Sequence, residues 1–337
     1  MKLTEWTQRP MVALAGLALG MGIIPLNDAM IKLLSADLPL SQIIAVRALL
    51  SLVLVAIFSS GIRSMMGLSA SAFWSFFGRG MCLVLAMVLF FVPLGSLPLP
   101  TVVAIFFVSP LLITLLSVPF LGETIGIHRF ASVIAGMIGV LLIIQPGSAD
   151  FRPETLLVIL SAISYAAFQI WTRRLKSVGN LEAMVTVQHV CYLIAGLVFL
   201  IVNLLWPVAE TGNASIDFLA RAPAAMDMGM LLMLAGCAFT VLFLSMASSN
   251  AYRVVEASLI APFEYTAIPL GVFWGIVIWG DWPEPLAWIG MALILGGGLY
   301  AVARERAKER LVITSTPMPA SAAMAQNPED DVRGPGD

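Results

Sequence analysis

Residues 98–146 read PLPTVVAIFFVSPLLITLLSVPFLGETIGIHRFASVIAGMIGVLLIIQP, and residues 256–303 read EASLIAPFEYTAIPLGVFWGIVIWGDWPEPLAWIGMALILGGGLYAVA. Each stretch is an apolar helix that ends in Gly followed by an acid, Leu121-Gly122-Glu123 in the first and Trp279-Gly280-Asp281 in the second. Each then opens a second apolar helix rich in glycine, with Gly136 and Gly139 after Arg129, and with Gly290 and Gly296-Gly297-Gly298. The second half of the chain repeats the first. Duplicated apolar halves suit a carrier, because two similar bundles facing each other enclose one site near the bilayer midplane that can open to either side.

Composition identifies the solvent. Hydrophobic residues make up 60% of the chain and charged residues only 11%, with a mean hydropathy of +0.96, whereas a soluble domain carries about 25% charged residues. So few charges cannot cover a water-facing surface, and apolar runs of about 20 residues recur throughout, each long enough to cross a bilayer. An all-α integral membrane protein is expected. The first apolar segment, from Met11, runs too long for a signal-peptide core and lacks a small-residue cleavage site, so it reads as a retained span. Cys82, Cys191 and Cys237 lie in apolar segments without metal-site spacing and read as small core residues.

Ten spans are predicted, near 11–34, 40–60, 79–95, 98–120, 128–145, 154–173, 182–205, 227–249, 256–279 and 285–303. Residues 61–78, with Phe73, Trp74, Phe76 and Phe77, read as an interfacial stretch before Arg79. Lys and Arg concentrate in cytoplasmic loops. With the N-terminus inside, the cytoplasmic side receives Lys2, Arg9, Arg63, Arg79, Arg129, Arg173, Arg174, Lys176, Arg253, Arg304, Arg306, Lys308, Arg310 and Arg333, and the external side only Arg152 and Arg221. Both termini are therefore expected in the cytoplasm.

Five spans per half is an odd number, so the second half must sit upside down relative to the first. The expected organisation is a cytoplasmic N-terminus over 1–10, a first repeat over 11–150, an inverted second repeat over 151–303 and a disordered cytoplasmic tail over 304–337. Inverted repeats predict helix discontinuities at midplane, and Pro25, Pro110, Pro119, Pro262 and Pro269 each free a backbone carbonyl inside a span. The long external loop at 206–226 reads as a short amphipathic cover. Gly16-x-x-x-Gly20 allows close helix approach, either in a homodimer or within one chain.

A charge inside the bilayer costs from about 2.5 to over 10 kcal/mol, so each one asks for a reason. Asp28 and Lys32 are four residues apart on one face of span one, with Asp28 roughly 9 Å below its outer end and Arg47 at a similar depth in span two. Two readings stand: a structural Asp28–Arg47 or Asp28–Lys32 pair, or a cavity-facing Lys32 or Arg47 that attracts a carboxylate-like group while Asp28 holds it. Gln169, Trp171, Gln188 and His189 form a second polar cluster toward the cytoplasmic side. His189 reads either as a packed core residue or, titrating near neutrality, as a proton carrier. Glu264, two turns into span nine, is the candidate for proton coupling, with a hydrogen-bonded helix cap as the alternative. Phe106, Phe107, Tyr165, Trp171 and Tyr265 can wall a planar substrate. Glu123 and Asp281, mirrored at span ends, suggest gates or helix ends.

No Walker-type phosphate loop, H-E-x-x-H motif or Cys/His metal spacing occurs. Neither a metal, a cofactor nor a catalytic residue is expected, and nothing supplies an ATP motor. An ungated channel would need a ring of like charges or a carbonyl filter, which the sequence lacks.

Several of these residues together resemble the EamA branch of the drug/metabolite transporter superfamily. They are Asn27-Asp28-Ala29-Met30-Ile31-Lys32, Arg47, Ser109-Pro110, Leu121-Gly122-Glu123 and Gly136-x-x-Gly139-Val140. The resemblance covers nearly all of 11–303, and Asp281 stands where the family usually shows Glu. It implies a ten-helix carrier of the bacterial inner membrane with inverted repeats and a central cavity. The expected substrate residues are Asp28, Lys32, Arg47, Phe107, Tyr165, Gln169, Trp171, His189 and Tyr265, with Glu264 for protons. The Asn-Asp-x-x-x-Lys form of span one is similar to members that import riboflavin or S-adenosylmethionine. Export of an amino acid or related metabolite is the alternative, and an enzyme working in the bilayer a remote one. The expected partners are a small molecule and the lipid bilayer, with no nucleic acid.

Overall fold

A computed structural model describes residues 10–122, 127–145, 152–206, 208, 211–255, 260, 264 and 267–314. Tyr265, Glu123 and Pro262 lie outside the described residues, as does 315–337. The described elements are helices: α1 (Pro10–Leu34), α2 (Leu40–Phe58), α3 (Gly61–Met66), α4 (Ala70–Leu94), α5 (Leu99–Phe106), α6 (Ser109–Leu121), α7 (Ile127–Ile144), α8 (Glu154–Arg174), α9 (Leu181–Leu205), α10 (Ala214–Ala220), α11 (Met228–Val254), α12 (Ala267–Trp279) and α13 (Pro285–Thr314). Seven helical stretches are long and apolar enough to cross a membrane: α1, α2, α4, α5 with α6, α8, α9 and α11. Shorter apolar stretches run over Phe130–Ile144, Ala267–Trp279 and Pro285–Gly297. This is a multi-pass membrane protein, whose exposed Leu, Ile, Val and Phe side chains face where lipid would be.

Two predicted boundaries shift. The third span begins at Ala70, because Ser69 accepts a hydrogen bond from the Ala72 amide and starts the helix there. The aromatic stretch thus forms its first turns, with Trp74 exposed and Phe76 buried. Arg79, expected at the membrane edge, lies wholly buried inside α4. The positive asymmetry of the loops survives its loss. At the other end α13 continues past Ala303 through its run of charged residues to Thr314.

The prolines act according to position. Pro25 sits inside a continuous α1, and Pro269 is the third residue of α12 as described. Span four breaks: α5 ends at Phe106, Phe107 and Val108 form a turn, and Pro110 opens α6 without an N–H to continue the ladder. The break turns Phe107 inward.

Helices of one half pack mainly against helices of the other. α1 lies against α11 and α12, α2 against α9 and α11, α4 against α8 and α9, α5 against α12, α6 against α8, and α7 against α13. Small residues bring these axes together. A Cβ on Gly139 would stand 2.6 Å from the Gly290 carbonyl oxygen, and one on Gly196 would stand 2.6 Å from the Ala45 nitrogen. Gly16 and Gly20 face Ala247 and Leu244 of α11, so this motif is used within the chain. Overpacking a tight contact costs about 1–3 kcal/mol. Gly290→Val should accordingly lower the thermal midpoint in detergent by several degrees, measured by fluorescence-detected unfolding.

The loop between α9 and α11 forms α10, capped by Asn213, with Phe218 buried and Ile216 exposed. Asn203 donates to Leu219 O, and Ser215 meets Ser96 at 2.7 Å, which ties α10 over the ends of α4 and α9. Thr211 donates twice to Asp217, whose carboxyl is held below its ordinary range by those bonds.

Candidate functional site

A cavity with an open mouth lies among α1, α2, α4, α5, α8, α9 and α11. Its walls are mostly aromatic and aliphatic, as small-molecule sites are. Phe90, Phe91, Phe106, Phe107, Tyr165 and Phe168 form much of them, with the Phe106 and Tyr165 rings 5.2 Å apart.

The ionisable groups occupy separate places. α2 carries Arg47, 2% exposed, to the cavity wall; its Nη2 donates to Met87 Sδ at 2.6 Å, and its guanidinium lies 5.7 Å from both the Phe91 and Tyr192 rings. Met87 is the only hydrogen-bond acceptor Arg47 meets among the described residues, and a thioether is a weak one. Asp28 also lines the cavity and accepts from the Asn27 amide at 3.0 Å. Thr240 in turn donates to Asn27 Oδ1 at 3.4 Å. No Asp28–Arg47 or Asp28–Lys32 ion pair forms within 4.0 Å, so the structural-pair reading of span one does not hold in this geometry. Lys32 instead donates to Leu97 O at 2.9 Å, stands 3.5 Å from Asp281 and lies over the Trp279 ring at 4.8 Å. It joins α1 to the turn after α12 and is not part of the cavity wall.

Glu264, 1% exposed, forms the opposite side. Its Oε1 accepts from Tyr252 at 2.8 Å and from Tyr165 at 3.3 Å. The Tyr165 hydroxyl accepts from Gln169 Nε2 at 2.6 Å, and the same amide nitrogen donates to Ser248 at 3.1 Å. A buried carboxyl is thus linked through the Tyr165 hydroxyl and the Gln169 amide to a serine on the cavity wall. Gln169 supports this chain from behind, with its Oε1 unpartnered.

The second predicted cluster separates. Gln188 lines the cavity and donates to Ser245 at 2.8 Å. His189, one residue on, points elsewhere: Nδ1 donates to the Val185 carbonyl at 3.0 Å, Nε2 is buried without a partner, and the ring meets Tyr192 edge-on. Trp171 packs over Gly78 on α4, partly exposed and outside the cavity. Three cavity or near-cavity features went unread in the sequence: Arg79, Tyr252 and the serines Ser245, Ser248 and Ser249. The serines' spacing puts all three along one side of α11, a signal the sequence did offer.

The profile of the EamA-like transporter family matches residues 11–145, the stretch that supplies Asn27, Asp28, Arg47 and Phe107. Over that stretch the chain matches the EamA-like transporter family. A riboflavin transporter of Rhizobium johnstonii is 30% identical to this chain over 219 residues, 64% of this chain and 66% of that one, so the match spans just under two thirds of the relative. An S-adenosylmethionine uptake transporter of Rickettsia bellii is 25% identical over 231 residues, 68% of this chain and 72% of the relative. A pseudopaline exporter of Pseudomonas aeruginosa is 25% identical over 285 residues, 84% of this chain and 92% of the exporter. One solved structure superimposes with a TM-score of 0.59 at 17% identity, over 89% of this chain and 98% of that one, a likeness of fold alone.

Proposed function

We propose that this EamA-like chain is a secondary transporter of the bacterial inner membrane that carries a small organic metabolite through the central cavity. On this reading the seven long stretches and the three shorter ones are ten spans in two inverted five-helix repeats, with both termini cytoplasmic. The helix pairing supports the repeats. Advancing by five spans turns the α1–α11 contact into α8–α4, α12–α1 into α6–α8, and α4–α9 into α11–α2, while α2–α9, α5–α12 and α7–α13 map onto themselves. Every one of these pairs is in contact.

The observation that carries the function is the cavity at the junction of the halves, walled by rings and holding Arg47, Asp28 and Glu264. Its polar groups come from both halves at mid-span, which suits alternating access; an enzyme of the bilayer would gather them at one membrane face. A planar heteroaromatic compound fits the ring walls, and relatives named for riboflavin and S-adenosylmethionine handle cargo of that kind. Uptake of riboflavin, S-adenosylmethionine and a set of amino acids into proteoliposomes, with and without an imposed proton gradient, tests it. Saturable uptake of one compound is expected. The exporter among the relatives, matched over 84% of this chain, favours export as the second reading. Efflux from preloaded vesicles of known protein orientation separates the two.

The Lys32–Asp281 contact, with both side chains only partly buried, acts on this reading as a latch at the outer end. Such a pair is worth up to about 1 kcal/mol, equivalent to about a fivefold change in rate. Lys32→Asp should alter exchange rate by about that factor without changing KM, and adding Asp281→Lys should restore it. No recovery in the double variant would remove the latch.

A further inference from the structure

The geometry points to Arg79 as an anion-recognition residue at the end of the cavity remote from Arg47, so that the cargo is a planar aromatic molecule bearing a carboxylate or phosphate. This rests on the transporter reading above.

Arg79 is 0% exposed inside α4. Its Nε donates to Thr172 at 2.6 Å, Nη1 to Gln188 Oε1 at 3.2 Å and Nη2 to Ser249 at 2.7 Å, and its guanidinium stacks 4.1 Å over the Phe168 ring. All three acceptors are neutral, and among the described residues no carboxylate lies within 4.0 Å. A buried guanidinium normally meets a carboxylate or phosphate in its fork, and two of the five donors remain uncommitted. Ionisable residues inside a membrane protein often mark the paths of ions and substrates.

The position is on that path. Leu83, Met87 and Phe91 of α4 line the cavity at a spacing of four, and Arg79 is one turn further along the same stripe. Gln188 on α9 and Ser249 on α11, both cavity-lining, continue the faces of Tyr192 and Ser245 in the same direction. Only the layer of Gln188, Ser249 and Phe168 separates Arg79 from the cavity. Arg47 meets α4 at Met87, eight residues from Arg79, which is about 12 Å of helix. The ring walls lie between the two guanidiniums. Cargo that carries an anionic oxygen group would complete the Arg79 fork by displacing a neutral amide and hydroxyl, when the halves rock and that layer parts.

Calorimetric titration of the full-length protein in nanodiscs with two matched pairs tests this: riboflavin against riboflavin 5′-phosphate, and nicotinamide against nicotinate. At least one anionic member should bind about tenfold tighter than its neutral partner, a usual effect of a charge-assisted hydrogen bond. Arg79→Gln should bring that ratio to near one, and Arg79→Lys should keep most of it. Gln188→Glu places a carboxylate against the guanidinium without removing it; it should also erase the preference while the fold is maintained or stabilised, which a purely structural Arg79 would not do. Preference in the phosphate pair or in the carboxylate pair identifies which group is read, and either supports the assignment. Equal affinities within both pairs, or a preference that survives Arg79→Gln and Gln188→Glu, overturn it and leave the transporter reading intact. Failure of all four compounds to bind overturns the aromatic-cargo reading and the Arg79 assignment with it.

Discussion

Glu264→Gln should leave substrate exchange intact and abolish gradient-driven accumulation. With one proton carried per substrate, a pH difference of one unit across the vesicle supports about tenfold accumulation, or about 1.4 kcal/mol. The variant should reach only equal concentrations on both sides. Glutamine keeps the acceptor oxygen that Tyr252 and Tyr165 address at 2.8 and 3.3 Å, so the local hydrogen-bond geometry survives while the exchangeable proton is lost. Uptake against counterflow then separates binding from coupling. Accumulation by Glu264→Gln equal to that of the wild type would move coupling to Asp28, the other carboxyl on the wall.

Glu264 lines the cavity itself and would exchange its proton there, while the network behind it, in which Gln169 Nε2 only donates, fixes the Tyr165 hydroxyl against the carboxyl. Ser248 faces the cavity, Gln169 bridges Ser248 to Tyr165, and Tyr165 reaches the carboxyl. Tyr165 also packs against Phe106, tilted by 56°, at the break in span four. A substrate pressed on that ring would therefore move the hydroxyl that bonds Glu264, giving substrate and proton one shared contact. Tyr165→Phe keeps the ring and deletes the hydroxyl, and should weaken coupling while leaving affinity within about twofold. A large loss of affinity instead would make the hydroxyl a direct substrate ligand.

How much of this was legible depended on what each residue's signal measures. Apolar run length and loop charge located the long helices, because transfer into hydrocarbon depends on composition summed over some twenty residues. Arg79 was misread by the same logic: a charge beside aromatic residues looks like a membrane edge. What identifies it as interior is Ser69 starting the helix three turns earlier, a local capping event that hydropathy does not register. Asp28, Arg47, Phe107, Tyr165 and Glu264 were found as candidates because a charge or ring in a span is conspicuous, and the fold gathers them around one cavity. Lys32 and His189 were as conspicuous, yet turn to Asp281 and to the Val185 carbonyl. Rotation about a helix axis decides such outcomes, and one residue separates Gln188 on the wall from His189 off it. The serines of α11 were overlooked for the opposite reason, since a hydroxyl in a membrane helix bonds its own backbone as readily as a neighbour.

Arg47→Met should reduce substrate affinity by about 10-fold to 100-fold while leaving the fold as stable as before, or more so. The two effects share one cause, the weak compensation of the Arg47 charge by the protein's own groups. Its guanidinium is 2% exposed, holds only the Met87 sulfur and has no carboxylate within 4.0 Å among the described residues. Replacing a poorly compensated buried charge with an apolar side chain of similar length is often neutral or stabilising by about 1–4 kcal/mol. A hydrogen bond from a charged donor to a ligand is worth about 1.5–3 kcal/mol, which sets the expected loss of affinity. Arg47→Lys should fall between, because an ammonium keeps the charge but neither forks nor lies flat between Phe91 and Tyr192. Binding measured beside thermal unfolding in the same detergent distinguishes the cases. Unfolding of Arg47→Met would make the arginine a structural strut whose counter-charge comes from within the protein, and unchanged affinity would mean that the cargo is read by the rings alone.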